Sequence, residues 1–255
     1  MPGHATIQEP SVKSLLLHLQ TVQGATLGTG TGFVVESGGA PFLITNYHVL
    51  AGRNPVTRQP LDPNGALPEQ VVILQNGQQL GSWFPTLEPL FDTVGRPNWL
   101  ELPDAPAQKI DVVALPLTEL GGVKLYPYDH TAERKLIIQP TEQLSIIGFP
   151  FGRAAGGVFA IWTQGTVASE PDIDFDELPV VLVDSRTRPG QSGSPVVAHR
   201  TAGTYQTTEG LMVGASALTE FFGVYSGRIN AESDLGMVWK ASVVGQLLRD
   251  GNRPT

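Results

Sequence analysis

Residues 187–197 read TRPGQSGSPVV, a serine (Ser192) set in a Gly-rich turn between the apolar runs LPVVLVD (178–184) and SPVV (194–197). A serine placed this way can expose its hydroxyl and leave its own backbone N–H free. Gly190, which has no Cβ, can turn a second N–H toward the same point. Two such donors stabilise the oxyanion of a tetrahedral intermediate, and losing one costs about 3–4 kcal/mol. Read alone, the segment is equally a Gly/Ser turn without chemistry. What surrounds it is a chain of short apolar runs punctuated by Gly and Pro, the pattern of many strands joined by turns.

Working outward, the second half reads as the strands QLSIIGFPFG, VFAIWTQGTVASE, LPVVLVDSR, SPVVAH, LMVGASAL, FFGVYSGRI and LGMVWK. It ends in ASVVGQLLRDG, a helix with Val243, Leu247 and Leu248 on one face and Gly251 as its stop. In the first half, residues 12–23 form a strand, GATLGTGTG a Gly/Thr turn, and FVVES a second strand. FLITNYHVL is a third strand that carries His48 at its end. VVILQNGQQLGSWF reads as a hairpin through Asn76-Gly77, and IDVVALPL (110–117) as a buried strand. Residues 52–106 are otherwise turn-rich and are expected to lie over a cleft. YPYDHTAERK (126–135) is the expected link between two halves, with a short helical turn near 130–135.

The 255-residue chain is 41% hydrophobic and 16% charged, with 29 Gly and 21 Pro, a composition that packs a core. It has no cysteine, which excludes disulfides, thiolate zinc sites and a Cys nucleophile. Net charge is −8 and no basic stripe is visible, so no nucleic-acid partner is expected. The run LLLHL (15–19) is too short to cross a bilayer, so no membrane association is expected either. The N-terminus MPGHATIQEPSVKS lacks a basic region followed by an apolar one, which makes the cytoplasm the expected location. The histidines (His4, His18, His48, His130 and His199) show no ligand spacing, and DIDFDE (172–177) lacks the spacing of a calcium loop. No metal and no cofactor are expected.

Two further pieces accompany the serine. TNYHVL places His48 beside an apolar run, and IDVVAL places Asp111 at the mouth of a strand that must be buried. A carboxylate that holds an imidazole makes it an oriented base able to take a serine proton. With GTGTGF (28–33) and IIGFPFG (146–152), these blocks resemble the chymotrypsin-like (S1-type, trypsin-like) serine peptidases, especially their bacterial cysteine-free members. The order His–Asp–Ser is the family's own, and the resemblance runs from Thr21 to Leu248.

The resemblance implies an all-β chymotrypsin fold of two antiparallel six-stranded β-barrels with a C-terminal helix. Residues 11–125 would form the N-terminal barrel with His48 and Asp111, and 126–255 the C-terminal barrel with Ser192. It implies a serine endopeptidase in which Ser192 is nucleophile, His48 base then acid, and Asp111 the group that orients the imidazole. The N–H groups of Gly190 and Ser192 would form the oxyanion hole. Arg186, Thr187, Tyr225, Ser226 and Gly227 would meet a protein or peptide substrate, with Ser226 also bracing the aspartate.

The chain departs from the family in two places. Gln191 stands where many secreted members carry an Asp that pairs with a newly cleaved N-terminus, so regulation would come from loops or a partner acting as activator. Arg186 holds the specificity position with no acid at 185–189, and Tyr225 replaces the histidine of glutamyl-specific relatives, which leaves the P1 preference open. Two rival readings exist. An α/β-hydrolase esterase needs G-x-S-x-G and the order Ser–Asp–His, and this chain has neither. A latent or degenerate fold used as a binding or scaffold module would be marked by loss of a triad residue, and none is lost.

Overall fold

The computed structural model describes residues 7–103, 109–133, 135–230 and 232–254, which fold into an almost all-β chain. A short helix, α1 (Pro10–Lys13), precedes β1 (Ser14–Gln20), β2 (Thr26–Ser37) and β3 (Ala40–Thr45). A one-turn helix, α2 (Tyr47–Ala51), then leads to β4 (Gln70–Asn76), β5 (Trp83–Pro89) and β6 (Val113–Pro116). These strands form one antiparallel sheet in the order β5-β4-β1-β2-β3-β6. The second half contributes β7 (Gln143–Gly148), β8 (Ile161–Val167), β9 (Val180–Asp184), β10 (Pro195–Arg200), β13 (Leu218–Arg228) and β14 (Leu235–Lys240). They close into a barrel, while β11 (Gly203–Thr207) and β12 (Gly210–Gly214) make a separate hairpin. The C-terminal helix α3 spans Ala241–Asp250.

Strand periodicity sorts the side chains into three cores. In β1, Leu15, Leu17 and Leu19 enter a cluster confined to the first half, while Leu16 faces the other way. Val34 and Leu43 join the first cluster; Phe33, Val35 and Ile44 join Leu16. The second half repeats the scheme. Ile146, Val181, Val183 and Val196 fill the closed barrel, whereas Ile147, Val180, Leu182 and Val197 pack outward into the cluster of Leu16 and Phe33. Both halves therefore bury both faces of their strands, which explains continuous runs such as SLLL and LPVVLV. The shared middle cluster fixes one half against the other, and Val243, Val244 and Leu247 of α3 complete it.

Four local readings change. Only Gly24 and Ala25 of GATLGTGTG belong to a turn, the one joining β1 to β2; β2 begins at Thr26, so the alternating Gly and Thr lie within a strand. Glycine is required there by close approach, since a Cβ on Gly30 would lie 2.7 Å from Val49 Cγ1 and one on Gly32 2.8 Å from Leu43 Cδ1. His48 lies on helix α2 rather than on β3, because the strand ends at Thr45 and Gly52 closes the turn with φ +60°. The hairpin through Asn76-Gly77 forms, but its loop runs from Gly77 to Ser82 instead of making a two-residue turn. The short helical turn near 130–135 is absent among the described residues of that stretch, and residue 134 lies outside them.

Candidate active site

The chain leaves β3 at Thr45 and turns at once into α2, which sets His48 against Asp111 just before β6. Asp111 Oδ2 lies 2.6 Å from His48 Nδ1, and its Oδ1 accepts the backbone N–H of His48 at 2.9 Å. Ser226 Oγ donates a third bond, to Oδ2, at 2.6 Å. The Asn46 amide donates to the Asp111 carbonyl at 2.7 Å. Asp111 is 2% exposed, so these donors replace the water a buried carboxyl would otherwise need. A carboxylate only accepts, so Nδ1 carries the proton and the Nε2 lone pair faces away from Asp111. Burial lowers the His48 pKa, but the charge and hydrogen bond of Asp111 outweigh it, and the net shift is upward.

Ser192 is positioned by the backbone. Gly190 has φ +93° and Gly193 φ +82°, both in the left-handed region where a side chain is strained. A Cβ on Gly190 would collide with the Phe149 carbonyl, and one on Gly193 with the Thr31 carbonyl and the Thr45 hydroxyl. Neither the Gly190 nor the Ser192 N–H has a hydrogen-bond partner among the described residues, so both donors are free. The Ser192 hydroxyl donates to the Ser226 carbonyl at 3.2 Å, a long bond for O–H···O. Ser226 thus touches both sides of the site, its hydroxyl on Asp111 and its carbonyl on Ser192.

Thr31 of β2 ties the serine loop to the first half. Its N–H donates to the Ser192 carbonyl at 2.9 Å and its hydroxyl to the Gly190 carbonyl at 2.8 Å. The Thr45 hydroxyl donates in turn to the Thr31 carbonyl at 2.7 Å. Gln191 is fully buried: its Oε1 accepts the Arg188 N–H at 2.8 Å and its amide donates to Thr163 at 2.7 Å. Sequence reading assigned no positioning role to Thr31, Thr45, Thr163 or Gln191. The GTGTG alternation carried the only signal for Thr31, since such a strand must approach another backbone closely.

Of the residues expected to meet substrate, Ser226 and Gly227 lie where β13 runs past its last β10 pair, Pro195 with Val224. Tyr225 still exchanges backbone bonds with Ser194 and Gly193, and from Ser226 onward β13 is paired with β14 on one side only. Thr187 and Tyr225 are buried beneath the serine loop with their hydroxyls bonded to each other, and burial raises the Tyr225 pKa. Arg186 is exposed and makes no side-chain hydrogen bond among the described residues. A cavity of about 390 Å³ opens beside His48, Gly190 and Ser192. Segment 52–68 forms part of its wall, while 70–89 belongs to the sheet as the β4–β5 hairpin. The arrangement brings a serine hydroxyl, an imidazole oriented by a buried carboxylate and two N–H groups unpaired among the described residues to one cavity.

A family model described as a trypsin-like peptidase domain matches residues 30–203. Among solved structures, the Rv3671c protease from M. tuberculosis in its active form aligns over 96% of this chain and 83% of its own, at 17% identity and TM-score 0.51. The thermostable serine protease AL20 from an extremophilic microorganism aligns over 94% of this chain and 97% of its own, at 13% identity and TM-score 0.52. At these identities the likeness concerns the fold, which is chymotrypsin-like: a closed six-strand barrel, a six-strand half-barrel sheet and a C-terminal helix. A search of curated proteins found no match.

Proposed function

From its membership of the trypsin-like peptidase family, we propose that this chain is a serine endopeptidase acting through Ser192, His48 and Asp111. The observation that carries the reading is His48, held by the buried Asp111, lining the same cavity as Ser192 and Gly190, whose N–H groups are unpaired among the described residues. Ser192 Oγ attacks the scissile carbonyl carbon as His48 Nε2 takes its proton. The carbonyl oxygen, now negative, sits between the N–H groups of Gly190 and Ser192. His48 returns the proton to the leaving amine, the C–N bond breaks and an acyl-enzyme remains. Water, deprotonated by His48, then attacks the ester carbon and releases Ser192. The acyl side of a peptide would add as a strand along the free edge of β13 at Ser226–Arg228.

Fluorophosphonate labelling of wild type beside Ser192→Ala, read by intact mass, tests the assignment. A single adduct that disappears in the variant is the expected result. An adduct that persists moves the nucleophile elsewhere. No adduct in wild type points to the second reading, a latent or binding module. That reading draws on the Ser192 hydroxyl being bonded to the Ser226 carbonyl. Gln191 leaves no ion pair for a cleaved N-terminus, so an activating partner would act on loops such as 52–68.

A further inference from the structure

The cavity beside Ser192 has a direction. It takes His48, Gly190 and Ser192 from the candidate site, and no residue of β13 lines it. A peptide whose acyl side pairs with β13 must pass the serine and continue on the other side, where this cavity begins. Its walls there are apolar: Leu27 on β2, Val49 on α2, and Leu61, Pro63 and Pro68 from the loop. Leu61 leaves 53% of its surface open, apolar area that a ligand in the cavity can cover.

The loop is built rather than loose. Leu61 N–H donates to the Gly52 carbonyl at 2.8 Å, and Asn54 N–H to the Gln59 carbonyl at 2.9 Å. Asp62 Oδ1 accepts the N–H groups of Asn64 at 2.7 Å and Ala66 at 3.3 Å, which fixes the next turn. Gly52 sits so close to Pro68 that a Cβ would lie 2.5 Å from its Cδ. The wall is therefore in place before a ligand arrives, and Asp62 gives its rim a negative charge.

We infer that this cavity is the subsite for the leaving side of the scissile bond, and that it selects an apolar residue immediately after that bond while rejecting an acidic one. The inference rests on the acyl-transfer reading above. Covering Leu61 removes apolar surface from water, whereas an acidic side chain would meet the like charge of Asp62 on the rim.

Capture of the acyl-enzyme by added amines tests the subsite without knowledge of the acyl-side preference. The acyl-enzyme is formed from an active ester of a short acyl peptide, and leucinamide, glycinamide or aspartic acid amide is added. The amine nitrogen bonds to the acyl carbon, the bond from Ser192 Oγ to that carbon breaks, and His48 carries the amine proton to Oγ. Leucinamide should capture at least about tenfold better than glycinamide, with the aspartic acid amide poorest. In Leu61→Ser the leucinamide-to-glycinamide ratio should fall at least about threefold, and Leu27→Ser gives a second reading from the opposite wall. Because the ratio is taken within one preparation, partial misfolding lowers both captures and leaves it unchanged. Equal capture of all three amines, or a ratio unmoved in both variants, overturns the inference while the acyl-transfer reading stands. Failure to form any acyl-enzyme overturns that reading and the inference with it.

Discussion

Around His48 the positioning is done by side chains: Asp111 receives the imidazole N–H, the backbone N–H of residue 48 and the Ser226 hydroxyl within 2.9 Å. Around Ser192 it is done by the backbone, through two glycines at positive φ, two unpaired N–H groups and the Thr31 ladder. The two regions therefore fail in different ways. A site made of side chains breaks when a group is removed or changed. A site made of backbone breaks when a Cβ is added.

Asp111→Asn should have the largest effect, lowering kcat about 10⁴-fold with little change in structure. The amide would present an N–H toward Nδ1 and favour the wrong tautomer. The wild-type acid limb of kcat/KM should lie above the ordinary imidazole value, because Asp111 raises the His48 pKa against the opposing effect of burial. In the variant burial acts alone, and whatever limb remains should move below that value. Steady-state hydrolysis of an active ester across pH measures both. Near wild-type turnover would remove Asp111 from the base side.

Gly190→Ala should cost about 10²–10³-fold in kcat by tilting one oxyanion donor out of place. Its Cβ would press on the Phe149 carbonyl at a φ that disfavours any side chain. The His48–Asp111 pair does not depend on this residue, so the imidazole titration followed by NMR should be unchanged. A shifted titration would show that the two regions are not independently built. Gln191→Ala should cost about tenfold, as the part-buried Arg188 N–H and Thr163 hydroxyl lose the bonds that hold the serine loop. Like the Thr31 hydroxyl on Gly190, this side chain supports the backbone side, and Gln191→Glu separates shape from charge. If the amide's donor is what matters, the carboxylate variant should be no better than alanine when turnover is compared at pH 8.

Much of this contrast could be read before folding, and the missing part has a physical pattern. Apolar runs and their Gly and Pro punctuation placed most of the strands, since burial on both faces writes itself into composition. His48, Asp111 and Ser192 could be singled out because side-chain chemistry is visible in a sequence, and the fold pairs the first two and brings His48 and Ser192 to one cavity. Thr31 and Gln191 were not: the Thr31 hydroxyl reaches a backbone carbonyl, that of Gly190, in the other half of the chain, and the Gln191 amide is spent on the Arg188 N–H and the Thr163 hydroxyl, partners that only the folded serine loop brings to it. GATLGTGTG was read as a turn because glycine lowers strand propensity. The structure uses those glycines to let Val49 and Leu43 approach the strand.

Ser226→Ala probes the point where the regions meet, and its effect should be the smallest and the most informative. The Ser226 carbonyl still faces Ser192 in the variant, so only the hydroxyl on Asp111 is lost. That hydroxyl shares Oδ2 with the imidazole, and while bonded it draws negative charge away from Nδ1. Without it the carboxylate holds imidazolium more strongly, so the His48 pKa should rise further and its neutral form become scarcer at low pH. The expected loss is about threefold in kcat/KM near pH 6, a fraction of a kcal/mol on the scale of one hydrogen bond, and it should vanish near pH 9. A hydroxyl that merely packed the site would, when removed, lower activity evenly at every pH. An even loss in the pH profile would therefore return Ser226 to a structural role, whereas a loss confined to the acid limb would show the two regions sharing one carboxylate oxygen.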